Sequence, residues 1–255
     1  QAINPPWNYV YSANNQPDSI AGMLYPGYYL PENRAKRIVH LLEPKNDWDR
    51  EDVQNMITDA TSTVNPAIVA NLAKSLNISQ MSQLQLKELD KLSAWKGDYP
   101  LNSIEATIFH RWIYFFLKNT FEDELGNELF KQMLATHFSK RLIAPMAAKS
   151  TSVWWDDVNT KETVETKDHI AQTSYNQEIA SLIKDFGQDP EKWTWNRVHT
   201  LEHQHPIGKI KALRSFFNIG PFPVPGSREV INNMAFPYDE SLLYQVNSGP
   251  STRRI

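Results

Sequence analysis

The 255-residue sequence contains no cysteine. That excludes disulfides, thiolate metal sites and a cysteine nucleophile, and it is compatible with an oxidising compartment without requiring one. Long apolar runs are missing too. The longest, Trp112 to Leu117, is far short of the roughly 20 residues that a membrane-spanning helix needs, so no membrane span is expected. No charge sign dominates: 26 Lys+Arg stand against 29 Asp+Glu, and no basic run exceeds Arg253-Arg254. The electrostatic footprint of a nucleic-acid binder is therefore absent, and nucleic acid is not an expected partner. Gly-x-Ser-x-Gly, His-Glu-x-x-His and Gly-x-Gly-x-x-Gly do not occur, which removes the common hydrolase, zincin and dinucleotide signatures. The glycines of "NIGPFPVPGSR" lack the Gly-Lys-Ser/Thr ending of a phosphate loop. The prolines there also remove the backbone donors that such a cradle uses.

What is present is enough apolar material for a sizeable core, 41% of the residues, arranged mainly at helical spacing. Pro31 opens one helical pattern, carrying Ile38, Leu41 and Leu42 and stopped by Pro44. Asp49, with Glu51 and Asp52 in the first turn, starts another, and Asn65-Pro66 a third with Ile68, Val69, Leu72 and Leu76 on one face. Asn102 and Glu105 resemble a capping box ahead of Ile104 to Leu117, a segment apolar nearly all round and so expected at the centre of the core. Further helical patterns cover Glu122 to Leu134 and His169 to Phe186, and one is expected near Trp154-Trp155. From Trp193 onward, Gly and Pro punctuate short pieces such as "REVINNMAF" and "SLLYQV" that suit strands. The expected fold class is mainly α with short β segments, an α+β arrangement whose strands need partners beyond those visible in the chain.

Two groups of residues invite a chemical reading. His199, His203 and His205 alternate in "RVHTLEHQHPIG", so an extended strand would put them on one face at metal-ligand spacing. No carboxylate shares that face and Pro206 interrupts it, so no metal residues are assigned. The other group is Asn14-Asn15 in "YVYSANNQP". As structure, the pair is a turn after an extended run, since Asn tolerates positive φ and Pro17 favours extension before it. As chemistry, an asparagine side-chain N–H at a strand end can face the oxyanion that develops in acyl transfer. A noncatalytic helical binding or interaction module, with the Asn pair as a turn, is the alternative.

Five segments in order resemble the penicillin acylase (penicillin amidase) family of N-terminal nucleophile hydrolases. "YVYSANNQP" is similar to the family's extended run ending in Asn-Asn, and "YYLPENRAKRIVHLL" to its following arginine-bearing helix. "LSAWKGDYPLNSIEATIFHRW" resembles its tryptophan turn and buried helix, with Trp95-Lys96-Gly97 where Trp-Asp-Gly is more usual. "WTWNRVHTLEHQHPIG" and "FNIGPFPVPGSREVINNMAF" resemble two late strand-and-turn segments. The resemblance implies a nucleophilic serine freed by self-cleavage, with its own α-amino group as base, and an acyl-enzyme intermediate. It implies that Asn14 stabilises the oxyanion and that Arg34 organises the site, while Asn15 faces away or holds the turn. It also implies a helical insertion between strands of an αββα sandwich. Residues 1–30 would be strand and loop of that sandwich, 31–192 the helical region, and 193–255 late strands and turns. Because the chain begins Gln1-Ala2, the serine is expected upstream, and the chain is expected to be a later portion of a catalytic β chain, silent alone. Expected partners are the upstream catalytic segment, the α chain and a small-molecule acyl amide such as a penicillin or an acyl-homoserine lactone. The resemblance further implies a periplasmic or secreted enzyme, no cofactor in this chain, and calcium in the intact enzyme through ligands mostly upstream.

Overall fold

The computed structural model describes residues 3–19 and 21–250; Gln1-Ala2 and Arg253-Arg254 lie outside them. The fold is mainly α-helical, as the apolar spacing predicts. Its helices are α1 (Asn33–Leu42), α2 (Arg50–Ile57), α3 (Asn65–Ala73), α4 (Gln83–Ala94), α5 (Ile104–Ala135), α6 (His137–Ala148), α7 (Lys167–Phe186) and the single turn α8 (Arg214–Phe217). Among the described residues the only sheet is an antiparallel pair, β1 (Thr200–His203) and β2 (Ile219–Pro223), with Leu201 opposite Phe222.

The core forms around α5, whose Ile108, Trp112, Ile113, Phe116 and Leu117 are fully buried. Sequence alone dictates this, since a helix apolar on every face must be covered on every face. α7 covers most of it: the Trp112 indole N–H donates to the carbonyl of Ala171 at 3.3 Å, and its ring meets Tyr175 edge-on at 5.0 Å. α4 and α6 also pack on α5, and α3 packs on both of them. The start of α5 differs from expectation. Ser103, not Asn102, is the cap, with its hydroxyl accepting from the N–H of Ala106. Ser103 Oγ also donates to Glu105, so the acidic residue that suggested a capping box engages the cap side chain instead.

Two turns lock the helical block to the late segment. Gly97 adopts φ +84, and a Cβ built on it would lie 2.1 Å from the carbonyl oxygen of Ser62. The same turn exchanges hydrogen bonds with that strand-like stretch, Ser62 N–H to Gly97 O at 2.8 Å and Tyr99 N–H to Ala60 O at 3.1 Å. At the second turn Gly226 donates to Tyr99 O at 3.1 Å and accepts from the buried Trp195 indole at 3.0 Å. Much of the rest of the late segment is extended without being strand. "REVINNMAF" holds isolated bridges, Asn233 with Ser227 and Ala235 with Ser248, and "SLLYQV" makes single bonds from Tyr244 and Val246 N–H to the carbonyls of Val198 and Thr200, in place of ladders. A β-like composition sets backbone extension, but a ladder needs a second chain segment alongside.

Candidate functional site

Residues 11–16 carry the Asn pair across the N-terminal end of α1. Asn14 sits at φ +61, a left-handed conformation that asparagine enters more readily than most side chains. That turn lets its carbonyl accept from Leu30 N–H at 2.8 Å. Asn15 braces it from within: its Oδ1 accepts from Ala13 N–H at 3.3 Å and its Nδ2 donates to Gln16 O at 3.2 Å. Asn15 therefore holds the turn.

Arg34, in the first turn of α1, reaches back into this turn. Its Nη2 donates to the carbonyl of Ala13 at 3.0 Å and to the Asn14 side-chain Oδ1 at 2.8 Å. A guanidinium has only donors, so the Asn14 oxygen must face it and the Asn14 amide nitrogen must face away. Among the described residues Asn14 Nδ2 has no hydrogen-bond partner, and the side chain is exposed. A positive charge on the carbonyl end of an amide also polarises its N–H bonds outward, strengthening them as donors. Arg37, one turn along α1, is occupied elsewhere, forming a two-point pair with Asp59 at 3.0 and 2.5 Å. Of the two arginines on that face, Arg34 alone touches the pair.

The histidines behave differently from the metal reading. His199 is fully buried, stacks on Trp195 at 4.6 Å, and through Nδ1–H donates to the carbonyl of Tyr244 at 2.7 Å. Burial pulls its pKa down to about 4, so the ring is neutral. His203 and His205 are exposed, and His205 spends Nδ1 accepting from the N–H of Ile207. A bulge between Leu201 and His203 breaks the alternation that would have aligned the three. Among the described residues no group of three or more His, Asp or Glu side chains converges as metal ligands would. No calcium-holding set is assigned to this chain.

A second polar cluster, on α5, α6 and the turn after Gly226, is not legible in the sequence. Buried His110 bridges the Tyr238 hydroxyl at 2.6 Å and Ser227 Oγ at 2.9 Å. Burial first, then Arg228 and His199, pushes its pKa well below the ordinary histidine value. A neutral imidazole offers one donor and one acceptor, so one hydroxyl receives the ring proton and the other gives its own. Beside it Lys140 pairs with Glu229 at 2.7 Å, and Arg228 is buried against the ring of Tyr238 at 4.6 Å. The only sequence signal was the turn "GSRE" itself, in which charged residues follow a glycine where a buried segment starts.

Comparison with known proteins adds what geometry cannot. The penicillin amidase family profile matches residues 1–255. The acyl-homoserine lactone acylase QuiP of Pseudomonas aeruginosa is 23% identical over 241 residues, 84% of this chain and 28% of the relative. QuiP of Pseudomonas fluorescens is 24% identical over 254 residues, 92% of this chain and 29% of its own. QuiP of Pseudomonas syringae pv. syringae is 27% identical over 172 residues, 65% and 20% respectively. The chain thus spans less than a third of the length of these relatives. With the family profile matching from end to end, the chain belongs to the penicillin amidase family.

Proposed function

We propose that this chain supplies the oxyanion-stabilising amide of an amidohydrolase that cleaves N-acyl amide bonds, the acyl-homoserine lactones hydrolysed by its named relatives among them. In this reading a serine hydroxyl supplied by the rest of the protein attacks the amide carbonyl and gives its proton to the serine's own α-amino group. The carbonyl oxygen becomes an oxyanion, and Asn14 Nδ2–H donates to it. Collapse of the tetrahedral intermediate breaks the C–N bond, the departing amine takes the proton, and water then hydrolyses the acyl-enzyme. Arg34 is the positioning residue. It touches no reacting atom and fixes which end of the Asn14 amide is presented. The serine arises by self-cleavage of a longer chain, and the enzyme works in the periplasm or outside the cell.

The observation that supports the reading is the 2.8 Å bond from Arg34 Nη2 to Asn14 Oδ1, which leaves the amide N–H group of an exposed, left-handed asparagine without a partner. A plain turn asparagine uses its side chain on its own backbone, as Asn15 does here. The test is Asn14→Ala in the full-length protein carrying this chain, assayed on an acyl-homoserine lactone and on a penicillin. Removal of one oxyanion donor lowers kcat by roughly 100-fold or more with little change in KM. Unchanged kcat with intact folding would remove Asn14 from the mechanism. Intact mass and N-terminal sequencing of the same preparation test the processing step, which requires two chains, the second beginning with serine.

A further inference from the structure

Beneath the residues that carry Asn14 lies a cavity of about 290 Å³, walled by Gln16 and Leu30, by α3 and α5, by α6, and by the turn at Arg228-Glu229. That volume is close to the lower end for small-molecule sites, roughly 300 Å³. Its lining includes apolar Val64, Ile68, Phe109 and Ile143. The charges in the lining do not balance. Lys36 pairs with Glu32 at 3.2 Å and Lys140 with Glu229 at 2.7 Å. Arg141 is exposed, over the ring of Tyr28. Arg228 remains. It is 5% exposed, its Nη1 has no hydrogen-bond partner, and among the described residues no carboxylate lies within ion-pair distance.

The rings of Tyr238 and Phe236 sit 4.6 and 5.8 Å from the guanidinium. They supply cation–π attraction, which is weaker than the cost of stripping water from an unpaired ion. Lys140 feels the same excess. Burial above all holds its pKa below the ordinary lysine value in spite of Glu229, and Arg228 and Arg34 push in the same direction as burial. A buried positive group facing an apolar-walled cavity lacks one thing, an anion attached to an apolar body.

We propose that this cavity binds a small amphipathic monocarboxylate, its carboxylate against Arg228 and Lys140 and its hydrocarbon against Val64, Ile68, Phe109 and Ile143. The site is separate from the Asn14 amide, and its occupancy does not depend on the hydrolase reading.

Octanoate is the probe, titrated calorimetrically into the full-length protein, with octanol and octylamine as controls for chain and charge. Octanoate binds and raises the thermal midpoint; octanol binds at least about tenfold more weakly and octylamine does not bind. Arg228→Gln weakens octanoate by at least about tenfold, the range of a lost charged hydrogen bond. Since that change can disturb the packed turn, Ala144→Trp provides a second route, filling the cavity from its α6 wall with every charge retained, and it too abolishes binding. Asn14→Ala leaves octanoate affinity unchanged while turnover falls. Absence of octanoate binding, equal binding of octanol, or binding that is lost in Asn14→Ala and kept in both cavity variants would overturn the proposal.

Discussion

At the scale of single residues, burial decides charge state, and His199 shows the sign. Its imidazole is neutral in the fold with a pKa near 4, against 6.5 for an unperturbed histidine. The unfolded chain therefore binds a proton between these values that the folded chain refuses, and stability falls as the pH drops from 6.5 toward 4. A difference of this size is worth about 3 kcal/mol over that window. His199→Gln, which cannot titrate, removes that share of the pH dependence. Thermal midpoints of the two proteins measured from pH 7 to pH 4 should converge as the pH falls, the wild type losing more. Parallel curves would mean that burial does not lower the His199 pKa. The same burial explains what was legible residue by residue. Asn14 and Arg34 came forward through the family resemblance, which could single them out because their segments lie close together in the sequence. His110 and the Lys140–Glu229 pair did not, because their partners come from segments about 90 to 130 residues apart.

At the scale of elements, periodicity located helices whose apolar face is regular and passed over those with an interruption. α4 was missed although Ser82 and Gln85 form a complete capping box, because only Leu89 and Leu92 of its apolar residues are fully committed to the core. α6 was hidden by Pro145 inside it. The patterns at Ile104 to Leu117 and Glu122 to Leu134 both lie in α5, which Gly126, at φ +71 and ψ +160, divides into two helical segments. The break falls inside the second pattern, at the glycine. The Trp95-Lys96-Gly97 turn was recognised as a motif, and its geometry supplies the reason. Gly97→Ala combines a positive φ with a Cβ 2.1 Å from a backbone oxygen that cannot swing aside. The expected cost exceeds the roughly 1–3 kcal/mol of backbone strain alone. Denaturant titration of the variant would read it as a lower midpoint with an unchanged slope. A loss under about 1 kcal/mol would show that the Ser62 segment can move away from the turn.

At the scale of the molecule, the two ends of the chain differ from its centre in one physical respect. The helical centre buries its largest side chains, Trp112, Phe116 and Tyr175 among them. In contrast, residues 3–30 expose Trp7 at 55%, Val10 at 69%, Leu24 at 65% and Tyr28 at 58%, and every residue of β2 is exposed. Irregular backbone with bare aromatic side chains, held at points such as the bridge of Asn15 with Leu30, is weakly held by itself. Exposed apolar stretches of this size mark surfaces that pack against something, and the relatives are more than three times the length of this chain. We propose that residues 3–30 and β2 are edges which the remainder of a longer protein completes, as strands of a sandwich. Hydrogen exchange tests it directly. In the isolated chain, amides of residues 9–30 and 219–223 exchange fast while those of α5 and α7 are protected, since few buried contacts hold the former. In the full-length protein the same edge amides become protected together, as neighbouring strands pair with them. Equal exchange at these residues in both proteins would mean that the edges stay bare. The Asn14 turn would then be carried by Arg34, Leu30 and Asn15 without neighbouring strands, too loosely for the oxyanion role proposed for its amide.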